Sequence, residues 1–544
     1  MHIAGKNRLQ IEMSCLEDRI TAVNPVRVID AFIDALDLEK LGFGSSIPEY
    51  STDESPNPSA PLVNKGGRPS YASCDLLRLY IYGYYNRIRS SRMLERECWR
   101  NVELHWLIGG ISPNYHTISD FRKDHRKALK KVFKIFVRFL LENELIEGDT
   151  LAIDGTKVRA VNSKKNNYNK AKVERQLSYI ENKTEEYLNQ LEEMDASEKA
   201  GADLQIKKEE VQAKIEKLKI NKVFYNNMAR RVAQSEDLQV STTDPDSRSM
   251  PIHHNQIEVA YNIQCATDQK NCLITHFEVT NENDTKALFK AAHDTKEALQ
   301  KSANDSITVL ADKGYHNGEQ LHQCEAENII TIVANRERSA ETNNIPTADY
   351  FSEKFIYDAG KNTYTCPAGE TLTTNGSWYT KDHTAKTRKK STKYLFQQFK
   401  TKACTSCGVK QFCTKNAKGR IIDRSEHQDT VDRNNARMIN EKSRYLLRQQ
   451  IVEHPFGTIK RSWGYYFTLL KGKEKVNGEY AIIFTVYNLR RSVSILGVPE
   501  LIKRLKAFKE MLFNFFYTHT TYTAFRNQIL KIIFFSNRTI TGML

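Results

Sequence analysis

The chain has 544 residues, a formal net charge of +15 and a sequence pI near 9.1. That length is too great for one ordinary core and predicts two to four folded units, while the positive excess predicts a polyanionic partner, DNA or RNA ahead of a membrane surface. Met1–Cys15 lacks the apolar centre of a signal peptide, and Lys and Arg interrupt the aromatic runs around Phe513–Tyr517 and Ile529–Phe535 well before membrane-span length, so neither secretion nor membrane insertion is expected.

Residues 16–45 place Val28, Ile29, Phe32, Ile33 and Leu36 at helical spacing and end at Gly42-Phe43-Gly44, which predicts a short helical segment. A Ser/Pro-rich linker, Ser45–Pro61, and a basic turn, Lys65-Gly66-Gly67-Arg68-Pro69, follow. Between Tyr71 and Leu145, apolar residues recur at helical steps (Leu76, Leu79, Tyr80, Tyr84, then Val132, Ile135, Phe136, Phe139), so an all-helical unit is expected. Arg87, Arg89, Arg92, Arg96, Arg122 and Arg126 fall between them and read as surface arginines, suited to DNA contact or to a solvated basic face.

Leu151-Ala-Ile-Asp154-Gly155 is an apolar run closed by an aspartate and a glycine. Beyond it, Val173, Leu177, Ile180, Thr184, Tyr187, Leu191 and Met194 step by four and three. Leu204, Lys208, Val211, Ile215, Leu218, Lys222 and Tyr225 repeat the pattern after a turn at Asp195–Gly201. Two such seams predict an antiparallel helical hairpin projecting from the sheet. After the polar run Ser241–Met250, strand grammar returns at Ile257–Ile263 and Leu273–Val279, a helix is expected over Thr285–Leu299, and Ile307–Leu310 forms a further buried strand ending at Asp312 and Gly314. Strands alternating with helices predict an α/β fold with a mixed sheet.

Asp312 alone would be read as the cap of a turn or of a helix beginning at Glu319–Leu321. Asp154 repeats its grammar, and two buried strands that each deliver a carboxylate to one sheet edge make a paired site for a divalent cation.

Ten cysteines in so long a chain, four of them close together late in the sequence, point to metal binding in a reducing cytoplasm rather than to disulfides. The Cys404-x-x-Cys407 spacing lets two thiolates meet one tetrahedral zinc, and Cys366 and Cys413 complete a structural four-thiolate set, the alternative being buried free thiols. From Asn434 to Lys460 the composition is helical, with Tyr445, Leu446, Leu447, Ile451 and Val452 apolar; basic residues follow, and Tyr480–Leu489 is a last apolar stretch.

Asp154 in Ala-Ile-Asp-Gly-Thr, Asp312 in Ala-Asp-Lys-Gly-Tyr and Glu453 in Val-Glu-His-Pro-Phe-Gly-Thr-Ile-Lys together resemble the DDE transposases of bacterial insertion sequences. The family signature Tyr-x2-Arg-x3-Glu-x6-Lys appears as Tyr445, Arg448, Glu453 and Lys460, with one extra residue between Arg and Glu. The resemblance spans roughly Arg68 to Leu496 and implies a ribonuclease-H-like sheet carrying two aspartates, with the glutamate on a following helix. It implies catalytic and metal-binding roles for Asp154, Asp312 and Glu453 with two Mg²⁺ or Mn²⁺ ions. It also implies DNA contacts by Tyr445, Arg448 and Lys460. Trp463, beside the basic helix, is a candidate for stacking on an unpaired base, although a tryptophan in this setting reads first as a core residue. Among neighbouring acids, Glu441 reads as a solvated face, Glu474 as part of a mobile loop and Glu479 as a cap, which leaves Glu453 as the third carboxylate; Pro455 should bend its helix.

The organisation implied is an N-terminal helix and linker (1–64), a helical DNA-binding domain (65–147), a ribonuclease-H-like catalytic domain (148–496) and a tail (497–544). The catalytic domain would be interrupted by the hairpin (165–232) and a zinc-ribbon-like insert (340–420). The implied function is cutting of insertion-sequence ends and joining to target DNA, by a nucleoid-associated cytoplasmic protein acting as a homodimer on double-stranded DNA. The alternatives are a non-transposing nuclease of the same fold and a non-catalytic DNA-binding protein.

Overall fold

The computed structural model describes residues 9, 13–44, 70–196, 202–253, 256–335, 345–384 and 391–512. The Ser/Pro-rich linker, the basic turn at 65–69 and the aromatic tail beyond 512 lie outside the described residues.

The N-terminal part is helical: α1 (Val26–Asp34), α2 (Leu38–Leu41), α3 (Ser73–Tyr85), α4 (Ser91–Arg100), α5 (Val102–Leu107), α6 (Tyr115–Asp124) and α7 (Arg126–Glu142). Side-chain caps set several starts, as where Asn114 Oδ1 accepts the Thr117 N–H at 2.9 Å. The segment at 16–45 is thus two short helices, with Asp37 capping the second. On α7, Leu129, Val132, Phe133, Phe136, Val137 and Leu140 form one buried stripe.

Strand β1 (Thr150–Arg159) opens the main sheet. The chain then leaves it through β2 (Asn167–Asn169), α8 (Lys170–Ala196), α9 (Ala202–Gln234) and β3 (Gln239–Ser241). β2 and β3 pair antiparallel and close the base of the projecting hairpin, while Val173, Ile180, Val211, Ile215, Met228 and Val232 are buried along its seam. The sheet resumes with β4 (Arg248–His253), β5 (Gln256–Asp268), β6 (Ile274–Thr280), α10 (Leu288–Ala298), β7 (Ile307–Ala311), α11 (Gly318–Ala326) and β8 (Ile329–Val333). Its order is β4-β5-β1-β7-β8, with β6 also on β5; β1 runs antiparallel to β5 and parallel to β7, which is parallel to β8. β4 and β8 are strands that the sequence reading left out. Pro251 and a short polar run obscure β4, and β8, five residues long, carries no alternation.

A second six-stranded sheet follows: β9 (Ile356–Asp358), β10 (Thr363–Thr365), β11 (Thr371–Thr373), β12 (Tyr379–Thr384), β13 (Ser391–Lys400) and β14 (Ile421–Ser425), with the short α12 (Lys410–Cys413) before its last strand. Its own small core is Phe355, Tyr364, Leu372, Phe399, Ile422 and Cys413. The chain then returns to the main sheet through α13 (Gln428–Asn440), α14 (Lys442–Phe456), a π-helical turn at Gly457–Ser462, α15 (Lys473–Leu496) and α16 (Val498–Leu512).

Two buried asparagines tie helices to opposite edges of the main sheet. Asn488 on α15 brackets Ile274 of β6, donating to its carbonyl (2.8 Å) and accepting from its N–H (2.9 Å). Asn434 on α13 does the same to Val333 of β8, at 2.8 and 3.0 Å. Each satisfies backbone groups that an open edge would leave bare. α15 is enclosed by α3, α6, α7 and β6, so one apolar core runs without a break from the N-terminal helices into the sheet. Among the described residues no single helix is long and apolar enough to cross a membrane; α15 and α16 pass only as a pair bent by 118°.

Several expected surface groups are therefore internal. Arg89 is 8 % exposed and pairs with Glu479 at 3.2 Å, and Arg122 is buried, donating to Tyr84 Oη at 2.7 Å, so neither belongs to a DNA-facing surface; Arg87, Arg92 and Arg96 are exposed. Glu479 is not a helix cap but a fully buried residue within α15, taking the N–H groups of Leu469 and Leu470 at 3.0–3.3 Å. Glu474 lies in the first turn of α15, bonded to Arg126 at 2.8 Å, and not in a loop.

Candidate active site

β1 and β7 lie side by side in parallel, with Ile153 opposite Ala311. The next residue along each chain is an aspartate, so the two stand as neighbours. Asp312 follows the end of β7, whereas Asp154 lies midway along β1, which runs on past Gly155 to Arg159 against β5 and does not turn there. The pairing is a consequence of register: five β7 residues are buried and lock its hydrophobic set against β1. Asp312 also caps the 3₁₀ turn Lys313–Tyr315, its Oδ1 accepting the Gly314 N–H at 2.7 Å, while Asn317 caps α11. Asp154 Oδ1 accepts the N–H of Gly155 at 2.8 Å, and Asp154 Oδ2 lies 3.6 Å from Arg448 Nη1. Burial, reinforced by the charges of Asp312 and Asp284 and opposed by Arg448, pushes the Asp154 carboxyl up to about 6. Removing that repulsion is what a bound divalent cation does, and an all-oxygen donor set suits Mg²⁺ or Mn²⁺.

Cationic groups ring the pair. Lys460 Nζ donates to Thr156 Oγ1 (2.9 Å) and to the Lys157 carbonyl (3.0 Å), which ties the π turn to β1; burial and the Lys157 charge lower its pKa. Lys157 Nζ in turn bonds Asp284 Oδ2 at 2.6 Å. Asp284 was not singled out in the sequence, where Asn281-Glu282-Asn283-Asp284 reads as a polar lead into a helix. It lies four residues past the end of β6, at the start of the 3₁₀ turn Asp284–Lys286, and no apolar run leads straight into it as one does into Asp312.

α14 packs over the sheet through Ile451 and Val452, which bury against Ala152, Leu310 and Ile332. On that helix Arg448 faces Asp154, and Tyr445 is half-buried beneath the Arg448 guanidinium, 5.9 Å away. Glu453 is exposed and accepts from Gln449 at 2.8 Å. The geometry follows from spacing: at about 100° per residue, a glutamate four positions after Arg448 would share its face, and the fifth position is rotated roughly 140° away. The structure thus brings together Asp154, Asp312, Arg448 and Lys460, and leaves Glu453 on the outer flank of the helix. Pro455 is accommodated inside α14, and the irregularity falls just after it, in the π turn. Trp463 is 7 % exposed and packed on Tyr465 and Tyr487, so it is a core residue and not a surface presented to a base.

Beside this centre a groove of about 2190 Å³ opens between the second sheet and α13–α14, with Tyr394, Phe396, Arg424, Lys442 and Tyr445 on its walls. In the second sheet, Cys366, Cys404, Cys407 and Cys413 line a cavity of about 20 Å³, room for one water-sized occupant. Gly419, at φ +91°, passes so close to Cys404 that a Cβ there would stand 2.5 Å from the Cys404 Cβ. Burial pushes the Cys413 thiol up, helped by the other three cysteines and opposed by Arg420. Among the described residues, the ligand atoms gathered in a group of three within 4.8 Å belong to His293, Asp294 and Glu297 on α10, where Lys290 already bonds Asp294 at 2.7 Å. Neither the four sulfurs nor the three predicted carboxylates are drawn together that tightly.

The family model described as "Transposase domain (DUF772)" matches residues 14–124, and that described as "Transposase DDE domain" matches residues 365–493. The second span holds the four cysteines, Tyr445, Arg448, Glu453 and Lys460; Asp154 and Asp312 lie between the two spans. No curated protein and no solved structure matches the chain.

Proposed function

We propose, for a chain recognised as a DDE transposase of the insertion-sequence type, that it cuts the ends of a DNA element and joins them to target DNA at the Asp154–Asp312 centre. The observation that carries this reading is the register of β1 and β7, which sets two carboxylates side by side at the end of a buried parallel pair. A ribonuclease-H-like core is supported by the order β6-β5-β1-β7-β8, with β5 antiparallel and β7 parallel to the central β1.

Asp154, Asp312 and, as third ligand, Glu453 would hold two Mg²⁺ or Mn²⁺ ions, which when bound activate the attacking water or 3′-hydroxyl and stabilise the leaving oxygen. Arg448 offsets the Asp154 charge and, with Lys460 and Lys157, gives the strand edge the positive rim that a phosphodiester needs beside two carboxylates. Glu453 reaches the centre only if α14 turns about its axis, for which the adjoining π turn supplies slack. The groove beside Tyr445 is the path assigned to DNA, where Tyr394, Phe396, Tyr445, Lys381 and Lys442 offer aromatic faces and cations on walls that also carry Glu353, Asp423, Asp429 and Asp432. Cys366, Cys404, Cys407 and Cys413 would bind a structural zinc that draws their sulfurs inward. All ten cysteines are free thiols, in keeping with a cytoplasmic, nucleoid-associated protein; action as a homodimer on paired DNA ends completes the proposal.

The test is incubation of purified protein with the flanking DNA ends and Mg²⁺. Asp154→Asn, Asp312→Asn and Glu453→Gln should each abolish cleavage and leave DNA binding nearly intact, since phosphate contacts elsewhere carry most of it. Wild-type cutting by either aspartate variant would refute the site, and cutting without strand transfer would identify a nuclease instead.

A further inference from the structure

Asp284 is held from three directions. Its Oδ1 accepts from Asn262 Nδ2 (2.7 Å) and Gln264 Nε2 (2.8 Å), both on β5, and its Oδ2 takes Lys157 Nζ (2.6 Å) from β1. Gln264 continues the chain: its Oε1 accepts the Tyr315 hydroxyl at 2.5 Å. Tyr315 is fully buried in the turn that Asp312 caps, so the hydrogen bonds run from β1 through Asp284 and Gln264 to the turn bearing Asp312.

The β1 backbone beside Asp154 is pressed against this network. A Cβ on Gly155 would stand 2.4 Å from Asp284 Oδ1 and 2.7 Å from Asn262 Oδ1. That Asn262 oxygen is fully buried and has no hydrogen-bond partner. A partly buried carboxylate could be tied up by one lysine alone; here it is bonded from both β1 and β5 and linked to the turn beyond them, each element carrying or adjoining a member of the aspartate pair.

We propose that Asp284 is a positioning residue of the metal centre: by linking Lys157 to Gln264 and Tyr315, it sets the separation between Asp154 and Asp312. The proposal rests on the reading of that pair as the divalent-cation site. The β1–β7 register aligns the two backbones, but the Asp312 side chain leaves from a turn, and beyond the core packing of Tyr315 the bonds through Gln264 and Asp284 link that turn to β1.

The experiment is Mn²⁺ binding to the full-length protein without DNA, with the Mn²⁺ dependence of cleavage measured alongside. Asp284→Ala is expected to weaken Mn²⁺ binding about tenfold and to raise the Mn²⁺ concentration for half-maximal cleavage by the same factor, with kcat at saturating metal within about threefold of wild type. Tyr315→Phe, which cuts a single link, should weaken binding about threefold and decides the matter if Asp284→Ala does not fold. Wild-type affinity in the folded variants, or a fall in kcat with unchanged metal dependence, overturns the proposal. Asp154→Asn separates the two levels: if it binds Mn²⁺ as wild type does, the pair is not the metal site and both readings fall; if it loses binding while the other variants keep it, the Asp284 inference alone falls.

Discussion

With burial and two neighbouring carboxylates holding Asp154 near 6, its ionisation weakens the folded state. The sign is that of an acid whose folded pKa is raised: the penalty is absent below the ordinary 3.8, grows as pH rises through about 6, and is complete above it. Asp154→Asn removes that penalty, so the metal-free variant should be more stable than wild type at pH 7, by at most about 3 kcal/mol, and no more stable at pH 3.5. Added Mg²⁺ should raise the melting temperature of wild type and not of the variant. Denaturant melts at the two pH values check this, and a variant equally destabilised at both would contradict it. Asp154 and Asp312 were legible from sequence because each ends an apolar run at a glycine. Asp284 was not, because what distinguishes it is contact with Asn262, Gln264 and Lys157, residues 20 or more positions away.

At the scale of elements, local periodicity was a good guide wherever an element buries its own stripe. The hairpin of α8 and α9 and the stripe of α7 follow from their spacing, because each packs along a continuous face. β4 and β8 escaped notice because a short strand is defined by its partner across the ladder more than by its own residues. The second sheet was legible only through its cysteines. If these bind zinc, purified protein should carry about one ion per chain, and Cys404→Ser or Cys407→Ser should release it and loosen the sheet built on Leu372 and Phe399. Zinc-free protein prepared without chelator would contradict this. α14 shows the limit of a motif: Tyr445, Arg448, Glu453 and Lys460 keep their order, yet one added residue turns Glu453 outward while the π turn brings Lys460 back to β1.

Across the whole molecule, Glu479 joins three regions: it sits on α15, receives two N–H groups from the 469–470 segment and pairs with Arg89 between α3 and α4. Glu479→Ala would leave Arg89 charged and unpaired in the core, at a cost of about 3–5 kcal/mol, read as a lower urea midpoint with an unchanged slope. A loss under about 1 kcal/mol would mean that the latch is not needed. The latch lies within a shared apolar core, where α3 and α7 bury their apolar faces on the distant α15. By itself the sequence determined the α/β class, the hairpin, the cysteine cluster and the two aspartates, since each is written in the spacing of neighbouring residues. Tertiary structure alone decided that Asp284 stands beside the aspartate pair and that Arg89, Arg122 and Glu479 lie inside. Those outcomes depend on which surfaces meet across long loops, where burial and charge compensation between distant residues override what each residue's neighbours suggest.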